Sequence, residues 1–182
     1  MDGPSKKNLA RDLEDFFLGQ GRFDRSEYYG MSASQTPEML VDYCKELAPS
    51  EQTQLTRLLT SVVIRDQLRL SSHLPLAIRA LDVLCAKGYL SKSSESAALL
   101  EQEFTDPANI EMWTQSGEMT EQQGGADFNQ TWHYAAELSF ILMQLGSDKA
   151  VSTREYLIRH ADSEEFRKTL MEQPQSILFD RS

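Results

Sequence analysis

The chain has few of the side chains that bind metals or act as nucleophiles. Its 182 residues include two cysteines and three histidines. Zinc sites need several Cys or His ligands at compatible spacings, and His73, His133 and His160 stand apart, with no Cys-x-x-Cys or His-Glu-x-x-His pattern around them. The sequence also lacks an EF-hand loop, a P-loop and a Gly-x-Ser-x-Gly element. We therefore expect a non-enzymatic protein without a metal site or a cofactor.

Long apolar runs are missing as well. None approaches the roughly 18 residues that span a bilayer, and the stretch MDGPSKKNLARDLEDFF lacks the apolar segment of a signal peptide. Cys44 and Cys85 lie far apart inside predicted helices, which is typical of buried thiols in a reducing compartment. These features predict a cytoplasmic protein that does not bind membranes.

Basic side chains are absent from a long internal stretch, since no lysine or arginine occurs between Lys92 and Lys149. Residues 1–91 carry 11 Lys+Arg against 12 Asp+Glu, whereas residues 92–182 carry 7 against 16, so most of the net charge of -10 belongs to the second half. Nucleic-acid-binding proteins normally show a basic patch, whereas an acidic surface attracts basic segments. We expect a basic protein partner and no nucleic acid, with the oligomeric state left open.

Helical periodicity recurs along the whole chain. Leu9, Leu13, Phe16 and Phe17 fall on one side of a first helix, and comparable apolar stripes follow up to about residue 173. The sequence predicts an all-α irregular bundle of about seven to nine helices. These form a single domain, 1–182, or two helical halves, a near-neutral 1–91 and an acidic 92–182.

Several boundaries of these helices can be predicted from capping residues. Gly19 is expected to end the first helix, and Ser50 to cap the helix that follows Pro49. Asp106 and Ser163 are expected to cap two helices of the second half. Residues 116–127 hold three glycines and one large apolar side chain, so we expect this loop to be the most mobile internal part of the fold.

The segment around the first tryptophan is the candidate partner surface. Trp and Met are enriched in binding surfaces, and here they occur among acidic residues. The predicted contact residues are Glu111, Met112, Trp113, Glu118, Met119 and Glu121, with His133 and Glu137 beside them. The alternative for Trp113 is a core tryptophan packed under the loop.

His133 and Glu137 form the one pair that is suited to acid–base work. They lie one helical turn apart, on a stripe that also holds Gln130 and Gln144. A carboxylate so placed orients an imidazole and raises its pKa. The alternative is that this stripe is the solvated edge of an otherwise buried helix.

The fragment SSHLPLAIRALDVL resembles the His-Leu-Pro helix start of the cytoplasmic chaperones that mature molybdoenzymes. Those chaperones are all-helical and comparably small, and the resemblance implies an escort role for a peptide. It covers one short segment, and the acidic residue that precedes the motif in that family is absent here.

Charge asymmetry and helical pattern together favour an adaptor or scaffold, a helical interaction module whose acidic second half binds a basic partner segment. The alternatives are a cytoplasmic peptide-binding chaperone, or a small-ligand protein or enzyme with a pocket near His133 and Glu137.

Overall fold

A computed structural model describes residues 8–24, 36–66, 74–115 and 128–172. Within these ranges the backbone forms nine α-helices and one short 3-10 turn, Gly21–Phe23, and no strand. The helices are α1 (Leu9–Leu18), α2 (Thr36–Lys45), α3 (Pro49–Asp66), α4 (Leu74–Ala86), α5 (Glu95–Phe104), α6 (Pro107–Thr114), α7 (Phe128–Gln144), α8 (Asp148–His160) and α9 (Glu164–Met171). The prediction of an all-α multi-helix bundle is confirmed.

Three of the predicted helix ends are made by the residues named from the sequence. Gly19 ends α1 in the left-handed conformation, with φ 64°, which costs glycine little. Asp106 accepts hydrogen bonds from the amides of Ala108 and Asn109, and Ser163 accepts one from the amide of Phe166. Both side chains satisfy amide groups that lack partners within their helices.

The predicted start of α3 is wrong. Ser50 is not the cap, because the helix already begins at Pro49. Proline suits the first helical position, where the missing N–H would have no intrahelical partner. The carboxylate of Glu51 reaches back and accepts a hydrogen bond of 2.8 Å from the amide of Ala48, so the cap lies before the proline.

The core forms one cluster to which both halves of the sequence contribute. Helix α4 packs against α2, α3 and α7, and α7 packs against α4, α5, α8 and α9. Leu81 and Leu84 of α4 are fully buried, as are Leu138 and Ile141 of α7. Since the largest helix contact, α4 with α7, joins residues before and after position 91, neither half buries its apolar surface alone.

This shared core predicts cooperative unfolding of the two halves. Leu81→Ala removes a fully buried side chain from the first half and should lower the free energy of unfolding by about 2 to 5 kcal/mol. Both tryptophans lie in the second half, so tryptophan fluorescence during urea unfolding reports on that half.

The midpoint seen by fluorescence should fall together with the midpoint seen by circular dichroism. Leu18→Ala is the matched control, because Leu18 is 55% exposed and its truncation should change little. A fluorescence midpoint that Leu81→Ala leaves unchanged would show that the halves unfold independently.

Candidate functional site

Helix α6 begins the segment that the sequence singled out for partner binding. Its cap at Asp106 and Pro107 at its first position fix the direction in which the short helix leaves α5. That direction turns the Trp113 ring into the core, where it is fully buried and lies 5.5 Å from the Phe104 ring, centroid to centroid. Trp113 thus occupies the core position that the sequence left open as its alternative.

The other predicted contact residues are distributed differently. Glu111 is exposed, and Met112 is partly buried against the core. Glu118, Met119 and Glu121, with the rest of the predicted loop 116–127, lie outside the described residues. Among the described residues of the predicted surface, Glu111 is therefore the only exposed carboxylate.

The end of α6 meets the start of α9. The Asp162 amide donates a 2.9 Å hydrogen bond to the carbonyl oxygen of Thr114, which joins two segments far apart in sequence. Glu164 and Glu165 follow in the first turn of α9 and are exposed, while Glu111 lies one turn before Thr114. We call Glu111, Asp162, Glu164 and Glu165 the acidic edge.

Two cations near the acidic edge form ion pairs with carboxylates outside it. Arg159 lies 3.5 Å from Glu155 and Lys168 lies 3.8 Å from Glu172, nitrogen to oxygen. Within the described part of the chain, no ion pair joins a lysine or arginine to the carboxylates of Glu111, Glu164 and Glu165. These three carboxylates keep their charge available to a cation from outside.

An exposed pair of aromatic rings lies on α8. Tyr156 is 48% exposed, and its ring centroid is 4.4 Å from that of His160. Lys149 lies on the same helical stripe, two turns before Tyr156, and its ammonium nitrogen is 3.8 Å from a Glu101 carboxylate oxygen on α5. The aromatic pair therefore lies on a solvent-exposed stripe of α8 that begins near α5.

Glu137 lies at the packed seam between α7 and α4. It is partly buried, and burial raises the pKa of its carboxyl to about 7, an effect that Arg79 opposes and Asp82 strengthens. Gln144, farther along α7, donates a 2.9 Å hydrogen bond from Nε2 to the Asp82 carboxylate. Glu137 is thus a half-buried member of a polar seam and is not a solvated edge residue.

The pairing of His133 with Glu137 stays a prediction. The backbone of His133 belongs to α7, one turn before Glu137, whereas its side chain lies outside the described residues. In the described part of the chain no three His, Cys, Asp or Glu side chains are placed to hold a metal ion. Among the described helices, none has the length and apolar character that a bilayer crossing requires.

Several of these features have no clear sequence signal. Nothing local predicts that the turn before α9 bonds to the end of α6, since the Thr114–Asp162 hydrogen bond is long-range. The partners of Glu137 are equally hidden, because Arg79 and Asp82 occur inside the apolar pattern of α4. The stacking of Tyr156 on His160 was detectable, because residues four apart share a helix face.

Comparison with known proteins gives no match: no family model, no curated protein and no solved structure is similar to this chain. The resemblance of SSHLPLAIRALDVL to molybdoenzyme chaperones therefore gains no support from these comparisons.

The raised pKa of the Glu137 carboxyl predicts how the free energy of unfolding changes with pH. Its pKa is about 7 in the folded protein and about 4.3 in an unfolded chain, so the folded state holds a proton that the unfolded state has released between these values. The stabilisation of the folded state by this bound proton is complete below the pKa of the unfolded chain. It is lost as the pH rises through about 7. Its loss costs about 1 to 3 kcal/mol by pH 8.

Urea unfolding of the protein and of Glu137→Gln should be compared at about pH 5 and about pH 8. The amide does not titrate, so the loss of stability at the higher pH should be smaller in the variant. Glu164→Gln, at an exposed position, serves as the control and should follow the unmodified protein. Equal pH dependence in all three proteins would contradict the raised pKa.

Proposed function

We propose that the protein is a non-enzymatic helical interaction module, an adaptor or scaffold, whose acidic edge binds a basic segment of a partner protein. The observation that carries the proposal is the set of exposed carboxylates of Glu111, Glu164 and Glu165, which no lysine or arginine of the described chain neutralises. They belong to the half of the sequence with 7 Lys+Arg against 16 Asp+Glu.

The energetics of such a surface favour a cationic ligand. A partner that approaches these three carboxylates breaks no ion pair among the described residues, so its Coulomb attraction is not offset by the loss of such a contact. Glu164 and Glu165 also stabilise the positive end of α9, which explains their position in part. Their exposed charge still contributes to the field that guides a basic segment to the surface.

The aromatic pair on α8 adds a contact that suits arginine or lysine. A cation over an exposed aromatic face gains about 0.5 to 1 kcal/mol, and Tyr156 is about half exposed. Arg159 and His160, the basic residues in the last turn of α8, are followed directly by the acidic edge. A partner segment in which basic residues alternate with small polar ones fits this surface better than a uniformly apolar one.

Glu137 favours a second candidate function, a small-ligand or proton-transfer site at the seam of α4 and α7. A carboxyl with a pKa of about 7 is suited to general acid–base work at neutral pH. Arg79 and Asp82 are its charged neighbours across the seam. A catalytic or ligand-binding protein of this kind would lose function in Glu137→Gln and keep it when the acidic edge is altered.

Charge reversal at the acidic edge tests the proposal. The probe is a fluorescein-labelled peptide of about 15 residues with six Arg and Lys separated by Ser and Gly, and its binding is measured by fluorescence anisotropy at about 50 and about 300 mM salt. The triple variant Glu111→Lys, Glu164→Lys, Glu165→Lys should bind at least about tenfold more weakly at low salt. Binding to the unmodified protein should weaken at the higher salt.

The matched control changes the net charge by the same amount at other exposed positions. Glu46, Glu95 and Glu172 are exposed, and each lies in an ion pair with a neighbouring Arg or Lys. Their triple change to Lys should have a much smaller effect than that at the acidic edge. Equal loss in the two triple variants would show attraction by net charge alone, and equal affinity at both salt concentrations would remove the electrostatic argument.

A further inference from the structure

An open groove runs between α1 and α3, in the near-neutral first half and with no residue in common with the acidic edge. Its volume is about 450 Å³. The lining residues are Ala10, Leu13, Glu14, Phe17, Leu18, Leu58, Ser61 and Val62. Leu18 is 55% exposed, and Phe17, Leu58 and Val62 are only partly buried, so the groove presents apolar side chains to solvent.

The α1 wall of this groove is held firmly in place. Phe16 is completely buried and contacts the rings of Phe17 and Phe23 with centroids 5.5 Å apart. The hydroxyl of Tyr43 on α2 donates a hydrogen bond to the Asp12 carboxylate. Because these contacts hold α1 against the core, the groove exists before any ligand arrives.

The spacing of the lining residues matches the surface of a third helix. Leu13 and Phe17 are four residues apart on α1, as are Leu58 and Val62 on α3, and a further row of Ala10, Glu14 and Leu18 keeps the same interval. Rows of side chains four apart are the ridges that helices interdigitate when they pack. An amphipathic helix with apolar residues at intervals of three and four fits between the two rows.

No segment of the chain outside the described residues carries that pattern over more than one helical turn. Residues 67–73, QLRLSSH, place two leucines two apart, and the tail 173–182, QPQSILFDRS, places Ile177, Leu178 and Phe179 in direct succession. Residues 1–7 and 116–127 have a single large apolar residue each, Met1 and Met119. Residues 25–35, RSEYYGMSASQ, hold Tyr28, Tyr29 and Met31, of which only Tyr28 and Met31 are spaced as on one helical face. None of these sequences presents apolar side chains on a helical stripe longer than one turn.

Charge argues against a second copy of the chain as the occupant. A two-fold contact through the groove pairs the same surface with itself and so brings two Glu14 carboxylates together. Glu14 is exposed and is the only charged residue among the described residues of the lining, and each copy carries a net charge of -10. A helix with a lysine or arginine beside its apolar stripe meets Glu14 with the opposite charge.

We infer that the groove between α1 and α3 binds an amphipathic helix of a second protein, with its leucine-like stripe between the two rows and a lysine or arginine at Glu14. The inference stands independently of the proposed function, because the groove and the acidic edge are separate surfaces. With both occupied, the protein bridges two partner segments, which is what an adaptor does.

The probe is a labelled peptide of about 18 residues, long enough to form a helix on binding, with leucines at alternating intervals of three and four and lysines on either side. A scrambled peptide of the same composition spreads the leucines over all faces. Both peptides carry the same charge and are attracted equally by the net negative charge of the protein. The ratio of their two affinities therefore reports only on the arrangement of the leucines. The ordered peptide should bind at least about tenfold more tightly than the scrambled one.

Variants locate the binding site. Leu18→Gln should weaken binding of the ordered peptide about tenfold, whereas Met171→Gln, at a methionine of matched exposure on α9, should leave it unchanged. Glu14→Lys should weaken the lysine peptide about threefold and strengthen a version with glutamates in place of the lysines. The triple Lys variant of the acidic edge should keep the ratio of ordered to scrambled affinity.

Four results would overturn the inference. These are equal affinity for the two peptides, an unchanged affinity in Leu18→Gln, a dimer that Leu18→Gln converts to a monomer in sedimentation, and a lowered unfolding midpoint in Leu18→Gln. The third would identify a second copy as the occupant, and the fourth a segment of the chain itself. Loss of binding in Leu18→Gln with an unchanged midpoint and a monomeric protein would support it.

Discussion

The fold depends on the need to cover helix α7, which is apolar on more than one face. Between Tyr134 and Leu142 every side chain except that of Glu137 is buried. A helix buried on all sides must be surrounded by other helices, and α4, α5, α8 and α9 supply that cover. Each fully buried leucine or isoleucine contributes about 1.5 to 3 kcal/mol, so this arrangement explains why the two halves of the sequence share one core.

The position of the candidate surface follows from the same constraint. Because α8 and α9 must pack on α7, the turn between them lies where the Asp162 amide can bond the carbonyl oxygen of Thr114. This bond brings the acidic first turn of α9 to the end of α6. Four of the sixteen acidic residues of the second half, Glu111, Asp162, Glu164 and Glu165, thereby belong to segments that this hydrogen bond joins.

Local features were predictable from the sequence, and long-range ones were not. Gly19, Asp106 and Ser163 end or begin helices as predicted, because a cap depends on hydrogen bonds within a few residues. The start of α3 was misplaced since the Glu51 carboxylate reaches back past Pro49. Trp113 could not be placed because α6 is short, and only its angle to α5 decides which face meets the core.

The candidate site shows the same division. The excess of acidic residues in the second half is evident from the composition, and it predicted Glu111 as a contact residue. The position of Glu164 and Glu165 required the long-range hydrogen bond between Asp162 and Thr114, and the raised pKa of Glu137 required the packing of α7 on α4. In both cases the decisive neighbours are more than one helix away in sequence.

The central claim is that a basic segment binds at the acidic edge and leaves the packed core unchanged. The most direct test is a titration of the isotope-labelled protein with the Arg- and Lys-containing peptide, followed by the backbone amide resonances in NMR spectra. The account predicts shifts clustered at residues 111–115 and 159–166, with the amides of α4 and the buried part of α7 unmoved. Shifts centred on Glu137 and the α4 seam, or spread evenly over the surface, would contradict it.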